Sequence, residues 1–401
     1  MNVLEDPLVQ KMIMRKDLST DRIKTYSTVL TGYCKLIGLT PTEAIQEAKE
    51  EQIPYLNKKQ QIIFPDVEER KIAFYQIQYN QHLKDNKMSD NTRKSYLIAV
   101  RAFYSENNVE LPKPITVNVE RIIIKEGTIP NIEDVRKGLE FSNTLRNKAI
   151  ILFMATTGIR TKDIRNFNIE DFTYATREYH EGESIQDLLN LKDKYIKNII
   201  PAWFIIPSKT KKKDRSVCLT FNTPECTQAL VDYLRSREDL KETDPLFEAY
   251  GRRMSKSTYS EFLQQLNDNV FNKVDSKGHR FFRAHNLRKF FLSQYRQNTN
   301  DSFYLKLVAG HALPGVNDEN YQEIPIQPAR EEYMKVIPAL SIRDTKVHDI
   351  KSKEYLALER KNQELTESDE AKEKRLLELE EKDKMREEQM KRVLSELNLE
   401  K

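Results

Sequence analysis

Apolar positions recur at three- and four-residue steps along most of this chain, which predicts a protein built mainly of helices. From Ser19 to Lys49 a Ser/Thr/Asp cluster suited to capping precedes Ile23, Tyr26, Val29, Leu30 and Tyr33 at helical spacing, and Thr40-Pro41 starts another helix. Residues 67–108 read as a helix, a polar break at Lys87-Met88-Ser89-Asp90, and a further helix through Tyr96, Val100 and Phe103, with Arg93, Lys94 and Arg101 on its surface. The stretch 109–130 carries three prolines and little periodicity, as an extended linker does. Asn131-Ile132-Glu133-Asp134 then opens a helix. The apolar run within Asn147–Thr156 is long enough for a buried one, ending at Gly158, where a missing Cβ permits a left-handed turn. Residues 202–221 change character: two β-like runs flank a basic turn, which predicts a hairpin before helices resume to residue 312.

From Asp349 onward the chain is dense in Glu, Lys, Arg and Leu. Leu358, Leu365, Leu376, Leu379, Met390, Leu394 and Leu397 fall at irregular helical steps, interrupted around Thr366–Asp369, so a long solvated helix is favoured over a short coiled coil. The expected organisation is a helical module over 1–110, a linker over 111–130, a mixed α/β domain over 131–348 and a charged helical or coiled-coil tail over 349–401. A length of 401 residues suits two or three domains at roughly one per 150 residues.

Composition adds exclusions. Cys34, Cys218 and Cys226 are far apart and lack paired metal-ligand spacing, and the N-terminus has no apolar signal-like region, so a reduced, cytoplasmic location is expected. No apolar stretch approaches membrane-spanning length. The net charge is +4; without residues 350–401, which hold 13 basic and 15 acidic side chains, the body carries 53 basic against 47 acidic groups. That excess is too small to point to nucleic acid, so any such role must rest on local groups.

Several local groups carry chemistry. Arg160 follows the buried helix, with Asp163 three residues on; such a pair is more often structural than catalytic. Lys209, Lys211, Lys212, Lys213 and Arg215 crowd the hairpin turn, where they can lie along a phosphate backbone or be simply solvated. His285 and Arg288 sit at i and i+3 on a helix whose other face holds Leu287, Phe290, Phe291 and Tyr295, so imidazole and guanidinium are expected on one polar edge. Gly310 permits a sharp turn before His311, and Tyr321 follows in a polar setting, Asn317–Tyr321.

The order Arg, hairpin Lys, HNLR, AGH and Tyr resembles the tyrosine recombinase (phage integrase) family over about residues 130–345, and the GHALPGVNDENYQEI segment looks most like archaeal and mobile-element members. The N-terminal module is similar to that family's core-binding domain. The resemblance implies a site-specific DNA recombinase that cuts and rejoins strands through a 3′-phosphotyrosyl bond, for integration or excision of a mobile element. It implies neither metal nor other cofactor, four protomers acting on duplex DNA, and a module and catalytic domain that clamp the duplex with Arg93, Lys94, Lys211, Lys212 and Arg215 among the contacts. Tyr321 would be the nucleophile, Arg160 and Arg288 would hold the non-bridging oxygens, and Lys209 would protonate the leaving 5′-oxygen. His285 would move a proton, His311 would steady the transition state, and Asp163 would orient Arg160 or His285. Tyr333, 22 residues after His311 against 10 for Tyr321, remains a second candidate nucleophile. A type IB topoisomerase would use similar residues, and a non-catalytic DNA-binding protein is the third possibility.

Overall fold

The computed structural model describes residues 2–119, 127–180, 184–207, 217–275, 278–311, 326–342 and 353–399. The chain divides into two compact units, Met1–Ile123 and Ile124–Lys401.

The first unit is helical: α1 (Pro7–Arg15), α2 (Thr20–Ile37), α3 (Pro41–Glu50), α4 (Lys71–Asp85) and α5 (Asp90–Glu106). Local sequence sets the boundaries. Thr40 and Glu43 form a reciprocal cap at α3, the Ser89 hydroxyl accepts from the Thr92 amide at α5, and α2 stops at Gly38, whose φ of +76° is left-handed. Tyr33, Tyr79 and Tyr104 fill the core and keep their hydroxyls satisfied, Tyr33 with Tyr104 at 3.1 Å and Tyr79 with the Val29 carbonyl at 3.2 Å. A small antiparallel hairpin, β1 (Tyr55–Leu56) with β2 (Ile62–Ile63), lies between α3 and α4. Residues 109–119, the described part of the proline-rich stretch next to α5, have no regular structure, yet Val109 is buried and the Pro112 carbonyl accepts from Arg101 at 2.7 Å.

The second unit opens with α6 (Ile132–Phe141), capped reciprocally by Asn131 and Asp134, then α7 (Leu145–Thr157), α8 (Thr161–Ile164), α9 (Ile169–Thr176), α10 (Ile185–Leu189) and α11 (Asp193–Ile196). The antiparallel pair β3 (Ala202–Ile205) and β4 (Cys218–Phe221) follows, with Ala202 opposite Phe221. Then come α12 (Pro224–Arg235), the short pair β5 (Glu248–Ala249) and β6 (Arg252–Arg253), and α13 (Lys256–Leu266), extended by a π turn over Asn267–Phe271. Next are α14 (Ala284–Asn298), α15 (Ser302–Val308), α16 (Ile326–Met334), α17 (Ile337–Leu340) and the 47-residue α18 (Lys353–Leu399). The architecture is mainly α with small antiparallel hairpins, as the hydrophobic periodicity predicts.

Helix α7 organises this unit. Every residue from Ala149 to Thr157 is buried, which is why the helix is apolar all round rather than amphipathic. It packs against α12 and α14. Phe153 meets Trp203 of β3 edge-on at 4.9 Å, and the indole N–H donates to Asn222 at 2.7 Å. The hairpin is thereby held against the helix whose C-terminus carries the candidate site. Tail helix α18 runs unbroken through Thr366–Asp369.

Candidate active site

A helix C-terminus leaves carbonyls without intrahelical partners. At the end of α7 three distant side chains satisfy them. The Tyr333 hydroxyl donates to the Thr156 carbonyl at 2.9 Å, the Thr220 hydroxyl to Thr157 at 2.9 Å, and Arg288 Nη1 to Gly158. Gly158 is required twice over: its φ is +64°, and a Cβ there would lie 2.2 Å from the Phe291 ring. The chain can therefore turn tightly out of α7 and deliver Arg160, the N-cap residue of α8.

Arg288 joins two parts of the site. Its Nη1 holds the Gly158 carbonyl and its Nη2 donates to Ala309 at 2.6 Å, so one guanidinium ties the segment bearing Arg160 to the segment bearing His311. Gly310 has φ +55°, and a Cβ on it would come within 3.0 Å of Cys218 Cβ, 3.1 Å of Pro207 and 3.5 Å of Arg160 Nη1. The ends of α7 and α15 thus meet the mouth of the β3–β4 hairpin at one point. Cys218 reinforces the junction by donating from Sγ to the Val308 carbonyl at 3.3 Å.

Instead of sharing an exposed polar edge with His285, Arg288 is buried, drawn inward by the two carbonyls. Burial first, and the adjacent Arg160 charge second, bring its guanidinium down to about 10, while Asp163 pulls the other way. Asp163 is buried in the first turn of α8. A buried guanidinium with a second one near enough to depress it forms a receptor for an anion with paired oxygens. Burial also pushes the Cys218 thiol up to about 12, so it is an inert packing group.

His285 lies in the first turn of α14 and His311 just after α15, both exposed. Partial desolvation lowers the His285 pKa, and the positive charges of Lys289, Arg283 and Arg288 add to the effect. Both effects favour the neutral imidazole, the form a proton acceptor needs. Beside it lies a cavity of about 320 Å³ lined by Thr161, Lys256, Tyr259, Ser260, Arg283 and His285 among others. The buried Tyr259 hydroxyl has no partner among the described residues. Sequence reasoning passed over this cavity, because nothing distinguishes Tyr259 among 18 tyrosines.

Tyr333 is fully buried between Phe221 and Phe291, and burial holds its phenol well above the usual value. With its hydroxyl committed to α7, it is placed as a structural cap rather than as a nucleophile. Tyr333→Phe is expected to lower stability by about 1–3 kcal/mol, since a buried carbonyl loses its donor, and to leave DNA cleavage intact. Denaturant unfolding beside a cleavage assay checks both.

Tyr321, Lys209, Lys211, Lys212 and Arg215 lie outside the described residues. Pro207, two positions before Lys209, borders the junction at Gly310. In the first unit Lys94 is exposed, whereas the Arg93 side chain is 12% exposed and paired with Asp90 at 3.1 Å. Among the described residues no cluster of three His, Cys, Asp or Glu could hold a metal ion, and no helix is long and apolar enough to cross a membrane.

Residues 131–324 match the model of the phage integrase family, a span that includes Arg160, Lys209, His285, Arg288, His311 and Tyr321 and stops short of Tyr333. That span is a domain of this family, the tyrosine-type site-specific recombinases, enzymes of DNA strand cleavage and ligation. Among solved structures it is similar to the XerH site-specific recombinase bound to palindromic difH substrate in a post-cleavage complex (17% identity, 80% of this chain and 79% of that one, TM-score 0.46). It is also similar to the Tn1549 transposon integrase in complex with circular intermediate DNA (14%, 84% and 100%, 0.43) and to the integrase from mycobacterium phage Brujita (15%, 87% and 99%, 0.33). No curated protein matches the chain.

Proposed function

We propose that the junction of α7, α14, α15 and the β3–β4 hairpin binds the scissile phosphate of duplex DNA, and that Tyr321 attacks it. The phenolic oxygen bonds to phosphorus as the bond to the 5′-oxygen breaks, leaving a 3′-phosphotyrosyl link and a free 5′-hydroxyl. Arg160 and Arg288 hold the two non-bridging oxygens and stabilise the charge that builds on the phosphorane. Lys209, two positions after Pro207 in the sequence, protonates the departing 5′-oxygen. His285 accepts the phenol proton, His311 hydrogen-bonds the phosphate, and Asp163 orients Arg160. Attack by the 5′-hydroxyl of another strand reverses the chemistry and joins the new ends, so bond energy is conserved in the intermediate.

The observation that carries this reading is Arg288 buried beside Arg160, an arrangement whose electrostatic cost a bound phosphate offsets. On the same reading four protomers assemble on DNA, the first unit and the basic hairpin contact the backbone through Lys94, Lys211, Lys212 and Arg215, and the task is integration or excision of a mobile element in the cytoplasm. A nicked duplex made from the element's own ends, which loses its 5′-hydroxyl fragment after cleavage, tests the chemistry: a covalent protein–DNA adduct is expected. Because the His285 pKa is lowered, its neutral form persists below pH 6.5, and the acid limb of adduct formation is expected there. No adduct from the unmodified chain at any pH would favour a non-catalytic DNA-binding role.

A further inference from the structure

Helix α18 has two parts with different surroundings. Its first turns dock on the unit they belong to: Leu356 is buried, the Tyr195 hydroxyl donates to Gln363 at 2.9 Å, and Lys192 pairs with Glu367 at 2.8 Å. From Ser368 to Arg392 every residue is exposed. The helix continues to Leu399, so on the order of 48 Å extends past Glu367 at about 1.5 Å per residue. A helix with no packed face gains little from propensity alone, which makes the pattern on this segment informative.

Three of the five exposed large apolar residues between Ser368 and Arg392 fall on a heptad seam, with Leu377 and Met385 beside it. Counting sevens from Leu376 gives Leu376, Asp383 and Met390 at one core position and Leu379 and Arg386 at the other; position 393, a valine in the sequence, continues the second series. Leu376, Leu379 and Met390 are 59%, 53% and 66% exposed. At the middle of the seam stand two opposite charges, Asp383 and Arg386, 3.8 Å apart within the helix.

We infer that this distal segment pairs with the same segment of a second copy of the chain, and that the two helices run antiparallel. In an antiparallel pair centred between Lys384 and Met385, each Leu379 meets Met390 of the second copy, and each Asp383 meets Arg386 of the second copy. Each Leu376 falls opposite position 393. The central layers are then complementary in charge and the outer ones apolar. A parallel pair in register instead sets Asp383 against Asp383 and Arg386 against Arg386 inside the seam.

The rim pulls weakly the other way. Antiparallel pairing brings Glu380 near Glu387 of the second copy, whereas parallel pairing would bring Arg375 and Lys382 near those glutamates. Rim charges in water count for little beside like charges within the seam, so the centre decides the orientation. The charged layer costs affinity and fixes the register, the role best attested for polar groups in coiled coils.

The full-length chain without DNA tests this. Light scattering at micromolar concentration is expected to give twice the chain mass of 47.3 kDa. Asp383→Arg and Arg386→Asp should each give the single-chain mass, and mixing the two variants should restore the double mass. Orientation is read by mild oxidation. Leu379→Cys alone and Met390→Cys alone should not cross-link, while their mixture should give a two-chain species; the native cysteines are buried and do not interfere. A single-chain mass for the unmodified protein overturns the pairing. Cross-linking of each cysteine variant with itself, and not in the mixture, overturns the antiparallel arrangement. Because no DNA is present, these outcomes are independent of the strand-cleavage chemistry.

Discussion

Tyr321→Phe is expected to fold like the unmodified chain, to bind the nicked duplex, and to form no covalent adduct, with strand cleavage reduced by at least ~10⁴-fold. On the proposed chemistry the loss is that of the nucleophile itself. Phenylalanine keeps the ring and removes the one oxygen that can bond to phosphorus, and no water or neighbouring hydroxyl yields a linkage that retains the DNA on the protein. The prediction separates the two tyrosines. Tyr333→Phe should behave in the opposite way, losing stability and keeping the adduct, because the Tyr333 hydroxyl is bound to the Thr156 carbonyl inside the core. Gel mobility of the protein–DNA species, read beside a thermal melt for each variant, records both halves of the contrast.

The second large effect concerns Arg288, and it divides stability from activity. Moving a guanidinium from its ordinary value of 12.5 to about 10 corresponds to about 3 kcal/mol of unfavourable charge burial. The folded-state value lies below the unfolded one, so this penalty is present in full at neutral pH and disappears only as pH rises past both. Against it stand the two hydrogen bonds to Gly158 and Ala309, each worth about 1–3 kcal/mol if its buried acceptor were left unsatisfied. These terms are similar in size and opposite in sign. Arg288→Met, of comparable length and without charge, is therefore expected to change stability little while cleavage falls by about 10²–10³-fold or more through loss of transition-state stabilisation. Denaturant unfolding and single-turnover cleavage measure the two separately; a fall in activity matched by a collapse in stability would assign Arg288 to the fold instead.

Much of this was legible along the chain because it depends on local pattern. The caps at Thr40, Ser89 and Asn131, the buried run of α7 and the turn at Gly158 rest on residues within a few positions of one another, and the β3–β4 hairpin pairs residues no farther apart than Ala202 and Phe221. Arg160, His285, Arg288 and His311 stand out through short spacings to glycine and to each other. What spacing does not reveal is what a side chain meets across the fold. Arg288 and Gly158 are 130 residues apart, and Tyr333 and Thr156 are 177. Nothing in Glu331-Glu332-Tyr333-Met334 announces a buried phenol, because the two glutamates lie on the other side of the same helix. Likewise Arg288, flanked by Leu287 and Lys289, reads as an edge residue until the carbonyls that draw it inward are known. The β1–β2 hairpin has two-residue strands, too short to produce a visible alternation.

On the proposed chemistry Tyr321 brings its phenolic oxygen to the phosphate held by Arg160 and Arg288. The most direct measurement is to trap the unmodified chain on the nicked duplex, digest the adduct, and identify by mass spectrometry the residue that carries the 3′-phosphonucleotide. The modification is expected on Tyr321 alone; a nucleotide found on Tyr333, on another residue, or on none would overturn the assignment.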